Sequence, residues 1–112
     1  MLKERNRLKK EKEFKTVLRE GKGYKSRSLL LKVLEKEEGE PRFGFVVSKK
    51  ISNKAVRRNK LKRQLREAVR PFLPEMKKVD AAIIAFPQAG EKNFEELKKE
   101  IEGLLQRAEI VD

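Results

Sequence analysis

Apolar residues recur along this chain at two different periods, and each change of period marks an element. In Glu11 to Glu20, Phe14, Val17 and Leu18 share one face under the i, i+3, i+4 rule, which predicts a short helix with Gly21 as its left-handed stop. Ser28 to Leu34 (SLLLKVL) and Phe43 to Ser48 (FGFVVS) read as strands, and the acidic stretch between them, with Gly39 and Pro41, reads as a turn. Alternation sends Phe43, Phe45 and Val47 to one side of the second strand and Gly44, Val46 and Ser48 to the other, so one face is thick and one thin. In the first strand Ser28, Leu30 and Lys32 lie opposite Leu29, Leu31 and Val33. Ala81 to Phe86 (AAIIAF) is apolar without alternation, as a central strand covered on both faces would be.

Two longer helices complete the pattern. One starts near Ser52 or Asn53 and stops before Pro71, with Leu61, Leu65, Ala68, Val69 and Phe72 inside an arc of about 100° on the helical wheel. The other opens with a capping-box-like Asn93 and Glu96, and Phe94, Leu97, Ile101, Leu104, Leu105 and Ala108 form its apolar face. With 112 residues the chain is expected to be one domain, residues 1–112, burying roughly two-thirds of the surface exposed on unfolding. Cysteine is absent, no apolar run reaches the roughly 18 residues of a membrane span, and the N-terminus lacks the apolar core of a signal peptide. A cytoplasmic protein with no membrane partner is the expectation.

Charge changes the picture most. Of a net +12, the stretch from Lys49 to Arg70 carries +9, with ten Lys or Arg against the single acid Glu67. The first twenty-seven residues add +7, and the remainder sums to −4. A solvated helix face ordinarily interleaves Glu with Lys at i, i+4, and this one does not. Asn59, Arg63, Arg66 and Arg70 fall within about 60° on the side opposite the apolar stripe, with Arg58 and Lys62 on the flank. Such a ridge suits phosphate. A helix set between strands of a mixed sheet is not the usual reader of a DNA major groove, so structured RNA, recognised by shape and phosphate, is favoured. The chain has no His, no Cys and no carboxylates spaced for a metal, so the usual groups for hydrolysing a phosphodiester are missing. Glu95, Glu96, Glu100 and Glu102 read as the solvated face of the last helix.

Arg5-Asn6-Arg7-Leu8 followed by Phe14, then FGFVVSKK, then KAVRRNKLKRQLRE, then AAIIAF and the amphipathic C-terminal helix together resemble the protein subunit of bacterial ribonuclease P. The resemblance implies an α+β fold in the order α-β-β-β-α-β-α, with an additional short strand around Gly23 to Lys25 and a left-handed crossover through the long helix. Sequence physics alone favours the right-handed form. The partners implied are a catalytic RNA and precursor tRNA, with no obligate protein partner. Mg²⁺ serves the RNA–protein holoenzyme, and none is assigned to the protein. The resemblance places Lys54, Arg57, Arg58, Asn59, Lys60, Lys62, Arg63, Arg66 and Arg70 on the catalytic RNA. It assigns Phe14, Leu18, Lys32, Ser48, Lys49 and Lys50 to a cleft for the single-stranded 5′ leader, and Arg5, Arg7, Lys9 and Lys10 to a basic arm. Leu18 and Lys32 stand where aromatics are common in the family, and Phe86-Pro87-Gln88-Ala89 lacks the basic residues often found there. A ribosomal protein or RNA chaperone, and a DNA-binding regulator, are the competing classes.

Overall fold

Apolar side chains project from both faces of one sheet, and each face recruits its own helical cover. The structure, a computed structural model describing residues 2–111, runs α1 (Glu11–Glu20), β1 (Lys22–Lys25), β2 (Leu29–Glu35), β3 (Arg42–Val46), α2 (Ala55–Val69), β4 (Val79–Ala85) and α3 (Phe94–Arg107). The strands lie in the order β1-β2-β4-β3, antiparallel except for the parallel pair β3 and β4, which α2 connects. Opposite β4, Leu31 pairs with Ile83 from one side and Phe45 from the other, so residues at these levels share a face across three strands.

On that face Leu29, Leu31, Phe43, Val79, Ala81 and Ile83 meet the stripe Leu61, Leu65, Ala68 and Val69 of α2 together with Leu97, Ile101, Leu104 and Leu105 of α3. The opposite face is thinner: Ala82 packs under Leu8 and Val17, with Phe14, Leu18, Leu34 and Ile84 around them. Covered on both sides and paired on both edges, β4 is the centre of the fold, as its unbroken apolar run requires. Asn93 caps α3 as a complete box: its Oδ1 accepts from Glu96 N at 2.9 Å while Glu96 Oε1 accepts from Asn93 N at 3.0 Å.

Several local expectations are corrected. Gly21 does not stop α1 in the left-handed region; its φ of −69° and ψ of 149° send the chain directly into β1. Its value is steric, because a β-carbon there would crowd the Val17 carbonyl and the Val33 backbone. The left-handed glycine is Gly39, at φ 92° in the acidic turn. α2 starts at Ala55 rather than Ser52 or Asn53, since the Ser52 hydroxyl accepts from Lys54 N in a separate turn and Lys54 is the N-cap. Phe72 lies beyond α2, on the 3-10 turn Arg70–Glu75 that Pro71 enters.

The basic arm is not free. Leu8 N donates to Phe43 O at 3.0 Å and Asn6 Nδ2 to Pro41 O at 2.9 Å, so residues 6–8 cover the outer edge of β3. Glu100 is likewise not merely solvated: its carboxylate accepts from the Ser26 hydroxyl at 2.6 Å, Ser28 N at 2.9 Å and the Ser28 hydroxyl, tying α3 to the β1–β2 connection. Leu65 is fully buried between α2 and the sheet. Leu65→Ala is expected to lower unfolding free energy by about 2–5 kcal/mol in urea denaturation, whereas an exposed neighbour such as Arg63→Ala changes it little.

Candidate nucleic-acid interface

With four apolar residues of α2 turned into the core, most of its cations are left on the side that faces water. Lys54, Arg57, Asn59, Lys60, Arg63 and Arg70 are exposed, while Arg66 on the predicted ridge and Lys62 on its flank are half-buried. Their rigidity comes from the helix; their charge is poorly balanced. The first turn of α2 contains no acid, and Lys54 offers no side-chain cap, so cations sit at the end of the helix where the macrodipole is already positive. An anion relieves both. Two members of the predicted ridge are engaged within the protein: Arg70 Nε lies 3.1 Å from Glu67 Oε2, and Arg58 Nη1 donates to Ser52 O at 3.0 Å, pinning the loop before α2. Val56 lies off the apolar stripe, so periodicity does not single it out. It is 80% exposed and lies on the same face as Asn59 and Arg63, one or two turns before them.

The second surface is the thin face of the sheet beside α1. Phe14 lies across Gly44, where any β-carbon would collide with its ring, so the bare backbone of β3 makes the seat for the aromatic. Phe14 and Leu18 are both half-buried, part of the small core and part of the surface. Next to them, Lys32 pairs with Gly23 on one side and Ala82 on the other. The adjacent row, Leu30–Ile84–Val46, is half-exposed, and the sequence reading had missed Ile84 and Val46 as surface. At its margin Lys25 Nζ stands 5.4 Å from the centre of the Phe86 ring. Ser48, Lys49 and Lys50 are exposed in the turn that leaves β3, with the Ser48 hydroxyl accepting from Lys50 N at 3.3 Å.

The two surfaces occupy opposite layers of the fold. At the far end of β3, Arg5, Lys9 and Lys10 are exposed, whereas Arg7 is half-buried and donates through Nε to Leu2 O at 3.1 Å. Lys9 pairs with Glu4, so the predicted arm contributes less free charge than its composition suggests.

This arrangement has counterparts. A family model described as Ribonuclease P matches residues 2–109. The chain belongs to the ribonuclease P protein family. A ribonuclease P protein component from Synechocystis sp. is 41% identical over 108 residues, covering 95% of this chain and 87% of the relative. The solved RNase P protein of Staphylococcus aureus superposes with a TM-score of 0.87 at 27% identity, covering 96% of this chain and 98% of that one. The RNase P protein of Thermotoga maritima gives 0.81 at 30% identity, covering 92% and 97%. Superposition at this level requires the β3–α2–β4 connection to have the same hand as in those proteins, since a mirrored crossover would place α2 on the other face of the sheet. Membership makes this the protein component of a tRNA-processing ribonucleoprotein nuclease, and so a partner of an RNA subunit. No helix among the described residues is long and apolar enough to cross a membrane.

In this ribonuclease P protein the helix that carries Phe14 is held by one guanidinium. Arg42 bonds Asp80 through Nε at 2.9 Å and Nη2 at 2.7 Å, and Glu13 of α1 through Nη2 at 2.9 Å and Nη1 at 3.3 Å. Lys36 Nζ adds a contact to Asp80 at 2.8 Å. Burial of Asp80 would raise its pKa, but the bonds from Arg42 and Lys36 outweigh that and hold it below the ordinary aspartate value. A folded pKa below the unfolded one stabilises the protein above about pH 4, and that stabilisation is lost as pH falls through the folded value. Asp80→Asn is therefore expected to cost about 1.5–3 kcal/mol at neutral pH and to flatten the acid limb of the stability profile, measured by urea melts between pH 2 and 7.

Proposed function

We propose that this protein lays the ridge of α2 on the catalytic RNA of ribonuclease P while the sheet face beside α1 holds the single-stranded 5′ leader of precursor tRNA. The observation that carries this reading is the separation of two unlike surfaces. One is a rigid row of cations backed by the core, suited to the phosphates of folded RNA. The other is a half-exposed apolar row, Leu30–Ile84–Val46, bounded by the Phe14 ring and by Lys32, Lys49 and Lys50. Aromatic and apolar surface accepts bases of any identity, and the flanking ammonium groups follow the backbone of a single strand.

In this reading the protein breaks no bond. The chain contains no His or Cys, and its clustered carboxylates are committed: Asp80 and Glu13 to Arg42, Glu100 to Ser26 and Ser28. Among the described residues no three His, Asp or Glu side chains come together as a ready-made metal cluster. We place the Mg²⁺ required for endonucleolytic removal of the leader on the RNA side of the holoenzyme. The protein's contribution is electrostatic and positional: its cations offset repulsion between two polyanions, and its cleft fixes the leader.

Reconstitution with a bacterial ribonuclease P RNA tests this directly. At low Mg²⁺ the protein is expected to restore cleavage at the mature 5′ end, and more strongly for a leader of several nucleotides than for a minimal one. Phe14→Ala should reduce the leader-dependent gain while leaving affinity for the catalytic RNA nearly unchanged. Absence of stimulation would contradict the function, and stimulation independent of leader length would contradict the cleft.

A further inference from the structure

A cleft of about 440 Å³ opens between the first half of α2 and the start of α3, in the layer opposite α1. It shares Arg57 and Lys60 with the exposed side of α2 and is otherwise separate from the surfaces described above. Part of its lining is apolar, with Leu61 and Ala89 buried and Ile51 and Phe94 half-buried against the main core, and Ser52 and Asn93 add polar groups beside them. Three cations, Arg57, Lys60 and Lys92, stand around the mouth. Arg57 and Lys60 have no acidic partner among the described residues, and Lys92 Nζ is held only loosely, 4.0 Å from Glu96 Oε2. On the wall, Gln64 is half-buried, and its side-chain amide has no hydrogen-bond partner among the described residues. The two loops that close the base of the cleft lie close together at Ile51 and Gly90, where a β-carbon on Gly90 would approach Ile51 Cγ2 to 3.1 Å.

These features specify different parts of one ligand. A bare phosphate would satisfy the cations but leave the apolar lining wet and the amide unused. A purely apolar guest would leave the three positive charges beside it without an anionic partner. A nucleotide answers all three: a flat apolar base, an edge of donors and acceptors, and an attached anion. The volume fits, because ligand clefts begin near 300 Å³. An extruded base in RNA is characteristically read by stacking and by amide contacts along its edge.

We propose that this cleft receives one unstacked nucleotide of the catalytic RNA, with its base over Ile51, Leu61 and Phe94, its edge on the Gln64 amide, and its flanking phosphates on Arg57, Lys60 and Lys92. The proposal rests on the reading that α2 lies on that RNA, and it adds base recognition to a helix otherwise read as a phosphate ridge. Gln64 then confers specificity that charge alone cannot.

The test uses Gln64→Ala, which removes the amide, and Gln64→Phe, which fills the cleft; neither alters charge. Binding to a bacterial ribonuclease P RNA is titrated across a salt series, with thermal melts confirming that each variant is folded. Both variants should lose affinity, Gln64→Phe by about tenfold, at an unchanged slope of log K against log salt, because no counterion-releasing contact is lost. Arg63→Ala should instead lower the slope by about one. Scanning the RNA with abasic nucleotides should then find a position whose loss weakens the wild-type protein by a similar factor and adds nothing to Gln64→Phe. Wild-type affinity in both variants, a slope change matching that of Arg63→Ala, or additive losses at every abasic position would each overturn the cleft assignment. Should Gln64→Phe fail to fold, Gln64→Ala and the abasic scan decide the matter. If the unaltered protein did not bind the RNA at all, the proposed function would fall and the cleft assignment with it.

Discussion

The segment from Lys49 to Arg70, which is α2 with its two flanks, sets ten cations against one acid and repels itself, and here four side chains hold the helix in place. Leu61, Leu65, Ala68 and Val69 bury one stripe of α2 against the sheet and α3, and that burial orients every charge on the other side. The exposed row Asn59, Arg63 and Arg70 is thus the complement of the core rather than a separate device. The same constraint explains the parallel pairing of β3 with β4, since a helix crossing between two strands must return to the sheet it left. It also leaves the N-terminal end of α2 electrostatically unfinished, with no acid in its first turn. An anionic partner completes what the chain itself leaves uncompensated.

The thin face of the sheet obeys the opposite logic. Ala82 and Gly44 are too small to build a thick layer, so α1 comes close to the strands, and Phe14 rests on backbone rather than on side chains. Arg42 then fixes α1 by bridging Glu13 to Asp80. Because α1 covers the row through Ala82 and only part of the next, Leu30, Ile84 and Val46 stay half-exposed and an apolar shelf remains beside it. Small residues create this opening as surely as large ones create the core.

Much of this was readable from the chain, for reasons that differ by element. α1 and α3 declared themselves through 3.6-residue periodicity, and α3 also through the reciprocal cap of Asn93 and Glu96, a purely local interaction. β4 was legible because burial on both faces removes alternation. β1, Lys-Gly-Tyr-Lys, was accessible only through resemblance, since an edge strand this short presents one large side chain and no repeat. The docking of residues 6–8 along β3 was invisible because backbone atoms make the contact, and Arg5 and Lys9 look the same on an arm as on a covered edge. Glu100 was misread for a similar reason: its partners Ser26 and Ser28 are more than seventy positions away, and no helical pattern reports them. Ile84 and Val46 escaped as surface because hydrophobicity along a strand does not say where the covering helix ends.

The central claim is that α2 and the shelf beside α1 bind different RNA strands from opposite layers of the fold. Lysine acetylation footprinting reads both at once, since Lys54, Lys60 and Lys62 mark the helix while Lys32, Lys49 and Lys50 mark the shelf and its margin. With a bacterial ribonuclease P RNA alone, the account predicts protection of the three helix lysines and continued reactivity of Lys32. Adding precursor tRNA with a long leader should then protect Lys32 and Lys50 without further change on α2. Protection of Lys32 by the catalytic RNA alone, or loss of protection on α2 when the leader is added, would contradict the account.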